Sequence, residues 1–99
     1  MSQDPENQEI TLEQAVALTQ AFRTANPGAI LAEKSGRAII DKILAQPNCV
    51  GIRIYKGLDA SGQPSNVLVG VDTSNNDMVD GVLGNRSVKD LGDANVLNS

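Results

Sequence analysis

Cys49-Val-Gly-Ile-Arg-Ile-Tyr55, then Lys56-Gly-Leu-Asp-Ala-Ser-Gly-Gln-Pro-Ser65, then Asn66-Val-Leu-Val-Gly-Val-Asp72 is the stretch that decides the fold. Its two flanks alternate apolar and other residues with a period of two, the pattern of half-buried strands. Val50, Ile52 and Ile54 share one side of the first flank, and Val67, Val69 and Val71 share one side of the second. The middle is rich in Gly, Asp, Ser and Pro, which form turns. The pattern predicts a β-hairpin with strands at about 49–56 and 66–72 and a long loop.

A one-residue slip turns a whole strand over. For the valines and isoleucines to share a face, Ile54 must oppose Val67, Ile52 oppose Val69 and Val50 oppose Val71, with a shift by two as the alternative. The other face then carries Gly51 opposite Gly70, Arg53 opposite Leu68 and Tyr55 opposite Asn66. A lone hairpin is unstable in water, so its apolar face needs a cover.

Upstream residues provide one. Thr11 and Gln14 have the spacing of a capping box. Leu12, Ala15, Val16, Leu18, Thr19, Phe22 and Ala25 follow on one side of a helix. Asn26 precedes Pro27 and is pushed out of the α region, so the helix ends near Ala25. Phe22 is the one large aromatic on that stripe and is expected on the hairpin's valine face. Ser35 can cap a second helix running to about Ala45, with Ile39, Ile40, Ile43 and Leu44 on its apolar side. Pro47 stops it, and Asn48 turns the chain into the hairpin. Ile30-Leu-Ala-Glu-Lys34 is either a third strand or an extended lead-in.

The expected fold is therefore α+β: two helices packed on one face of a small antiparallel sheet built around the hairpin. Residues 1–9 have little to bury and are expected to fray. Residues 10–84 form a single domain, and 85–99, rich in Asn, Asp, Gly and Ser, read as an irregular tail. At 99 residues there is room for one modest core, and with only Phe22 and Tyr55 as aromatics it must be aliphatic.

Thr11-Leu-Glu-Gln-Ala15, Pro47-x-Cys49-x-Gly51-Ile-Arg53-Ile-Tyr55, and Val69-Gly-Val-Asp72 followed by Asn76-Asp77-Met78 resemble a group of small bacterial proteins to which no function is attached. The likeness spans roughly residues 10–80, and the Cys-x-Gly-Ile-Arg-x-Tyr run is its most specific part. Members often carry further cysteines near the C-terminus. Cys49 is the only cysteine here, so any metal or disulfide role of those residues does not carry over. The resemblance implies domain limits and a bacterial source, not an activity.

Composition narrows the function. A net charge of −4 argues against a nucleic-acid binder, which needs a basic footprint. No apolar run approaches the roughly 20 residues of a membrane span. The acidic, polar N-terminus is unlike a secretory signal, and one cysteine allows no internal disulfide, so a reducing cytoplasm is expected. The absence of histidine excludes imidazole triads and histidine metal sites.

The remaining chemistry is sparse. A nucleophilic thiol needs a cation or a helix N-terminus beside it, whereas Cys49 follows a helix C-terminus, so a small buried thiol is expected. Asp72-Thr-Ser-Asn-Asn-Asp77 has oxygen ligands at the first, third and fifth positions of a calcium loop. It lacks the sixth-position glycine and the twelfth-position glutamate, and turn chemistry accounts for it. Ser35, Gly36 and Arg37 open a helix, where backbone N–H groups can meet an anion. No pair of carboxylates is held at catalytic separation.

Gly51, Arg53, Tyr55, Leu68 and Gly70 form the candidate interaction surface, a bare glycine strip with a mixed rim on the back of the hairpin. The exposed edge of strand 66–72 is the alternative interface. The leading expectation is a non-catalytic protein-interaction or assembly domain, binding a second copy or a protein partner. A small-ligand or anion-binding domain is the alternative, an enzyme is the least favoured, and no cofactor or metal is implied.

Overall fold

The computed structural model describes residues 8–29 and 32–85. It contains two helices and a three-stranded antiparallel sheet, a small α+β fold: α1 Leu12–Ala25, α2 Arg37–Leu44, β1 Cys49–Tyr55, β2 Val67–Asp72 and β3 Leu83–Asn85. The chain divides into two units, one holding α1 and the other holding α2 and the sheet. The expectations for residues 1–7 and 86–99 lie outside the described residues.

In α1 the capping box forms as expected. The Thr11 hydroxyl accepts from the Gln14 N–H at 3.1 Å, and the Gln14 side chain accepts from the Thr11 N–H at 2.8 Å. The helix closes at Asn26, whose N–H reaches the Phe22 carbonyl, and Gly28 follows with φ +83°. Phe22 keeps 42% of its surface exposed, and among the described residues the buried apolar ones are Ile43, Leu68, Val69 and Val71. Within the unit that holds the sheet, α2 packs against all three strands.

The N-cap of α2 is Gly36 rather than Ser35, and no side chain caps it. The Ser35 hydroxyl donates instead to the Asn85 carbonyl at 3.2 Å, fastening the approach to α2 onto β3. Asn48 turns the chain into β1 with φ +68°, a conformation asparagine tolerates better than most residues.

The strand order is β1-β2-β3, so β2 is central. This corrects the expectation of an open edge on β2. The third strand of the described sheet is β3; of residues 30–34, 30 and 31 lie outside the described residues and Lys34 makes an isolated bridge. Strand 66–72 has no open edge, because it pairs with β1 on one flank and β3 on the other.

The hairpin register differs from the expected one by a single residue, with a definite cause. The stretch between the strands is mostly not a loop. Gly57 accepts from the Ser65 N–H, Leu58 bridges Pro64, and Asp59 donates to Gln63. The hairpin arms therefore run to Asp59 and Gln63, and the tip is Ala60-Ser-Gly62. The Asp59 carboxylate accepts from the Ser61 and Gln63 N–H groups, and Gly62 takes φ +78°. A tip of odd length gives paired numbers with an even sum. Tyr55 thus opposes Val67, Ile54 opposes Leu68, Arg53 opposes Val69, Ile52 opposes Gly70 and Gly51 opposes Val71. Between Gly51 and Cys49 a β-bulge at Val50 shifts the parity, so Cys49 opposes Asp72. The expected parity survives only beyond that bulge.

This register decides which face meets α2. A Cβ on Gly70 would sit 3.3 Å from Ile43 Cγ2, and one on Gly84 would sit 2.7 Å from Ile39 Cγ1. The α2 face of the sheet therefore carries Ile52, Ile54, Leu68, Gly70 and Gly84. Two glycines let the helix approach closely, and Ile43 is fully buried against them. Gln46 holds the end of the helix in place. Its amide donates to the Ile43 carbonyl, and its oxygen accepts from the Val82 N–H, both at 2.9 Å.

Candidate functional site

The turn after β2 repeats the chemistry of the first tip. The Asp72 carboxylate accepts from the Ser74 and Asn76 N–H groups at 2.9 Å, and Asn75 takes φ +66° where the first tip has Gly62. Asp72 and Asn76 close this second hairpin, Met78 N–H bonds the Gly70 carbonyl, and Asp77 bridges Val71. The oxygen-rich run 72–77 is thus a hairpin tip whose first carboxylate is engaged by its own backbone.

Its last residue has another partner. Asp77 lies on the flank of β2 opposite β1, on the face that carries Gly51, Arg53, Tyr55, Val69 and Val71. Arg53 and Tyr55 both reach over β2 to it. One guanidinium nitrogen of Arg53 binds Asp77 Oδ1, the Tyr55 hydroxyl donates to Asp77 Oδ2, and the other guanidinium nitrogen donates to Asn75 Oδ1 at 2.8 Å.

The electrostatics lock each group in one charge state. The Tyr55 hydroxyl and, after it, the Arg53 guanidinium hold the Asp77 carboxyl below its ordinary value, against a partial desolvation that works the other way. The bond to Asp77 raises Tyr55 above the usual phenol value, with Arg53 opposing. The same carboxylate raises Arg53. Near neutral pH the carboxylate is charged, the phenol neutral and the guanidinium charged, so no proton changes hands. This is a rivet between β1 and the second hairpin.

The five residues of the expected surface are divided by the register. Gly51, Arg53 and Tyr55 share the face away from α2. Leu68 and Gly70 lie on the α2 face and are buried, with Ile43, Gln46 and Cys49 around Gly70. Gly51 opposes Val71 rather than Gly70, so the bare glycine strip does not exist. Of the three residues at the start of α2, Ser35 turns its hydroxyl to Asn85, Gly36 is the cap, and Arg37 is exposed. Cys49 is half-buried, and its thiol donates to the Gly51 carbonyl at 3.3 Å.

Asp77 was not singled out by the sequence, although a signal existed. Asp59-Ala-Ser-Gly62 and Asp72-Thr-Ser-Asn75 are the same turn in outline, and matching them sets Asp77 opposite Val71 on the Arg53 side.

What the arrangement leaves open is the outer edge of β1. Among the described residues no strand pairs with it there. Residues of an antiparallel pair alternately point their backbone groups toward and away from the partner. Gly70 uses its carbonyl toward Met78, away from β1, so its opposite residue Ile52 points N–H and C=O outward. By alternation Ile54 does the same, while Gly51, Arg53 and Tyr55 bond inward to β2. Val50 and Ile54 on this edge are 64% and 60% exposed.

No described helix is long and apolar enough to cross a membrane. No family model, curated protein or solved structure matches the chain.

Proposed function

We propose that the chain is a small non-catalytic interaction or assembly domain that works by strand addition at the outer edge of β1. The observation that carries this reading is the seven-residue edge strand with outward backbone groups at Ile52 and Ile54 and exposed apolar side chains beside them. Such an edge is a template for another strand, and proteins usually blunt it with charge, proline or a cover. Here the bulge at Val50 blunts one end only. Arg53, the one charge within β1, is drawn inward across β2 by Asp77 and Asn75. The cluster thus has a use in drawing that charge away from the edge. We place the domain in a bacterial cytoplasm, a setting supported by the free thiol of its single cysteine.

The reading is tested by titrating the protein with a panel of eight-residue peptides of alternating apolar and polar residues, the chain's own 50–57 among them. Amide shifts are followed by NMR. Binding peptides are expected to move the Ile52 and Ile54 amides first. A panel that moves no β1 amide, with a protein that also stays monomeric, would overturn the reading.

A further inference from the structure

We infer that the strand received by β1 is the β1 edge of a second copy, paired antiparallel about a twofold axis through Ile54. The inference rests on the strand-addition reading and adds the partner and the register. The open edge is longer than β1 itself, because the first hairpin keeps its pairing through Gly57–Ser65 and Leu58–Pro64. By the same alternation Lys56 and Leu58 join Ile52 and Ile54 in pointing their free backbone groups outward. A residue with outward groups can pair only with another such residue, so the paired numbers from the two copies are both even.

Three of these registers are centred between Ile52 and Ile54. Pairing Ile52 with itself runs Ile54 into the bulged Val50, where the strand is no longer regular. Pairing Ile52 with Ile54 puts Lys56 against the bulged Val50 and leaves Leu58 beyond the start of the partner strand. Pairing Ile54 with itself is the register centred on the three exposed apolar residues of the edge, Val50, Ile54 and Leu58. It puts Ile52 beside Lys56 of the other copy, so that the lysine stem lies along an isoleucine. Gly51 then faces Gly57, where neither has a side chain to clash.

The exposed apolar residues also meet. Ile54, 60% exposed, lies against itself across the axis, and Leu58, 75% exposed, comes to the Val50 end of the partner. The strand is complementary to its own reverse, which is what an isologous twofold contact needs. The product is a continuous six-stranded sheet with both copies of α2 on one face.

Light scattering or sedimentation reads the association. The wild type is expected to rise with concentration from 10.4 kDa to twice that mass. Ile54→Pro removes an outward N–H that no described strand uses, so it should stay monomeric with an unchanged circular dichroism spectrum. The register is read by oxidation in a Cys49→Ser background. Paired backbones at about 5.5 Å lie within disulfide reach, so Ile54→Cys should cross-link to itself. Ile52→Cys, displaced from its own copy by four residues, or about 13 Å, should not.

A wild type that stays monomeric at millimolar concentration overturns the inference. If added peptides still move the Ile52 and Ile54 amides, strand addition stands and the partner is another protein. A dimer unaffected by Ile54→Pro, or one in which Ile52→Cys cross-links as readily as Ile54→Cys, also overturns it.

Discussion

Truncating Ile43 should take away most of what holds α2 on the sheet. The residue is fully buried, with Cγ2 over Gly70 and Cδ1 over Gly84. Ile43→Val removes Cδ1 alone. One methylene is worth about 0.8 kcal/mol, and the gap left over Gly84 brings the cost to about 1 kcal/mol. Ile43→Ala removes three carbons, about 2.4 kcal/mol of transfer, and leaves a larger void. The floor of that void is glycine backbone, which has no side chain to swing in, so relaxation is limited and the total comes to about 3–4 kcal/mol. Leu44, next in sequence but 46% exposed, should cost less than about 1 kcal/mol as Leu44→Ala. Urea unfolding followed by the fluorescence of Tyr55, the only tyrosine in a chain without tryptophan, reports on this unit. The midpoint should fall in the order Leu44→Ala, Ile43→Val, Ile43→Ala, with the slope unchanged. An Ile43→Ala cost below about 1 kcal/mol, or one no larger than that of Leu44→Ala, would refute the packing of α2 on the two glycines.

Asp77 is stabilised as a carboxylate, so its contribution is complete above the ordinary carboxylate range and is lost as pH falls below about 3.9. Tyr55 is held neutral, so its contribution is complete below the ordinary phenol value and is lost as pH rises above about 10. Asp77→Asn should flatten both limbs of a pH–stability profile measured by urea unfolding; a profile identical to wild type would remove the rivet. Thr11→Ala should cost α1 about 1 kcal/mol of helix stability, seen as lower helical chemical shifts at residues 12–15, and unchanged shifts would contradict the capping box. Gln46→Ala should cost about 1–2 kcal/mol, because it takes the acceptor from the Val82 N–H, whereas the Ile43 carbonyl keeps the Gln46 backbone N–H; a neutral effect in urea unfolding would show that another group meets Val82.

Elements bounded by strong local chemistry were legible in the sequence. Thr11, Gln14 and Pro27 mark the ends of α1, Pro47 and Asn48 mark the approach to β1, and the alternation of 49–55 and 67–72 marks the two long strands. What was not legible depended on short-range turn geometry or on distant partners. The three-residue tip ending in Gly62 reversed the parity of the hairpin. Leu68 and Gly70 thereby moved to the α2 face, while Arg53 and Tyr55 stayed on the other. Leu83-Gly-Asn85 is too short and too rich in turn formers to read as a strand. It becomes one because Leu68 offers backbone groups on that flank and because Gly84 lets Ile39 and Ile43 sit close. Ser35 has the composition of a helix cap, yet its hydroxyl is taken by the Asn85 carbonyl fifty positions away. The apolar stripe of α2 was legible, but the pair of glycines beneath Ile43 that lets this helix close on the sheet shows only once the register is known.

Residue-resolved amide exchange along β1, measured at low and high protein concentration, tests the account most directly. Gly51, Arg53 and Tyr55 should exchange slowly at both concentrations, because their N–H groups bond inward to β2. Ile52 and Ile54 should exchange quickly in dilute protein and become protected as the concentration rises. Equal rates along the strand, or slow exchange at Ile52 and Ile54 in a dilute monomer, would contradict both the register and the open edge.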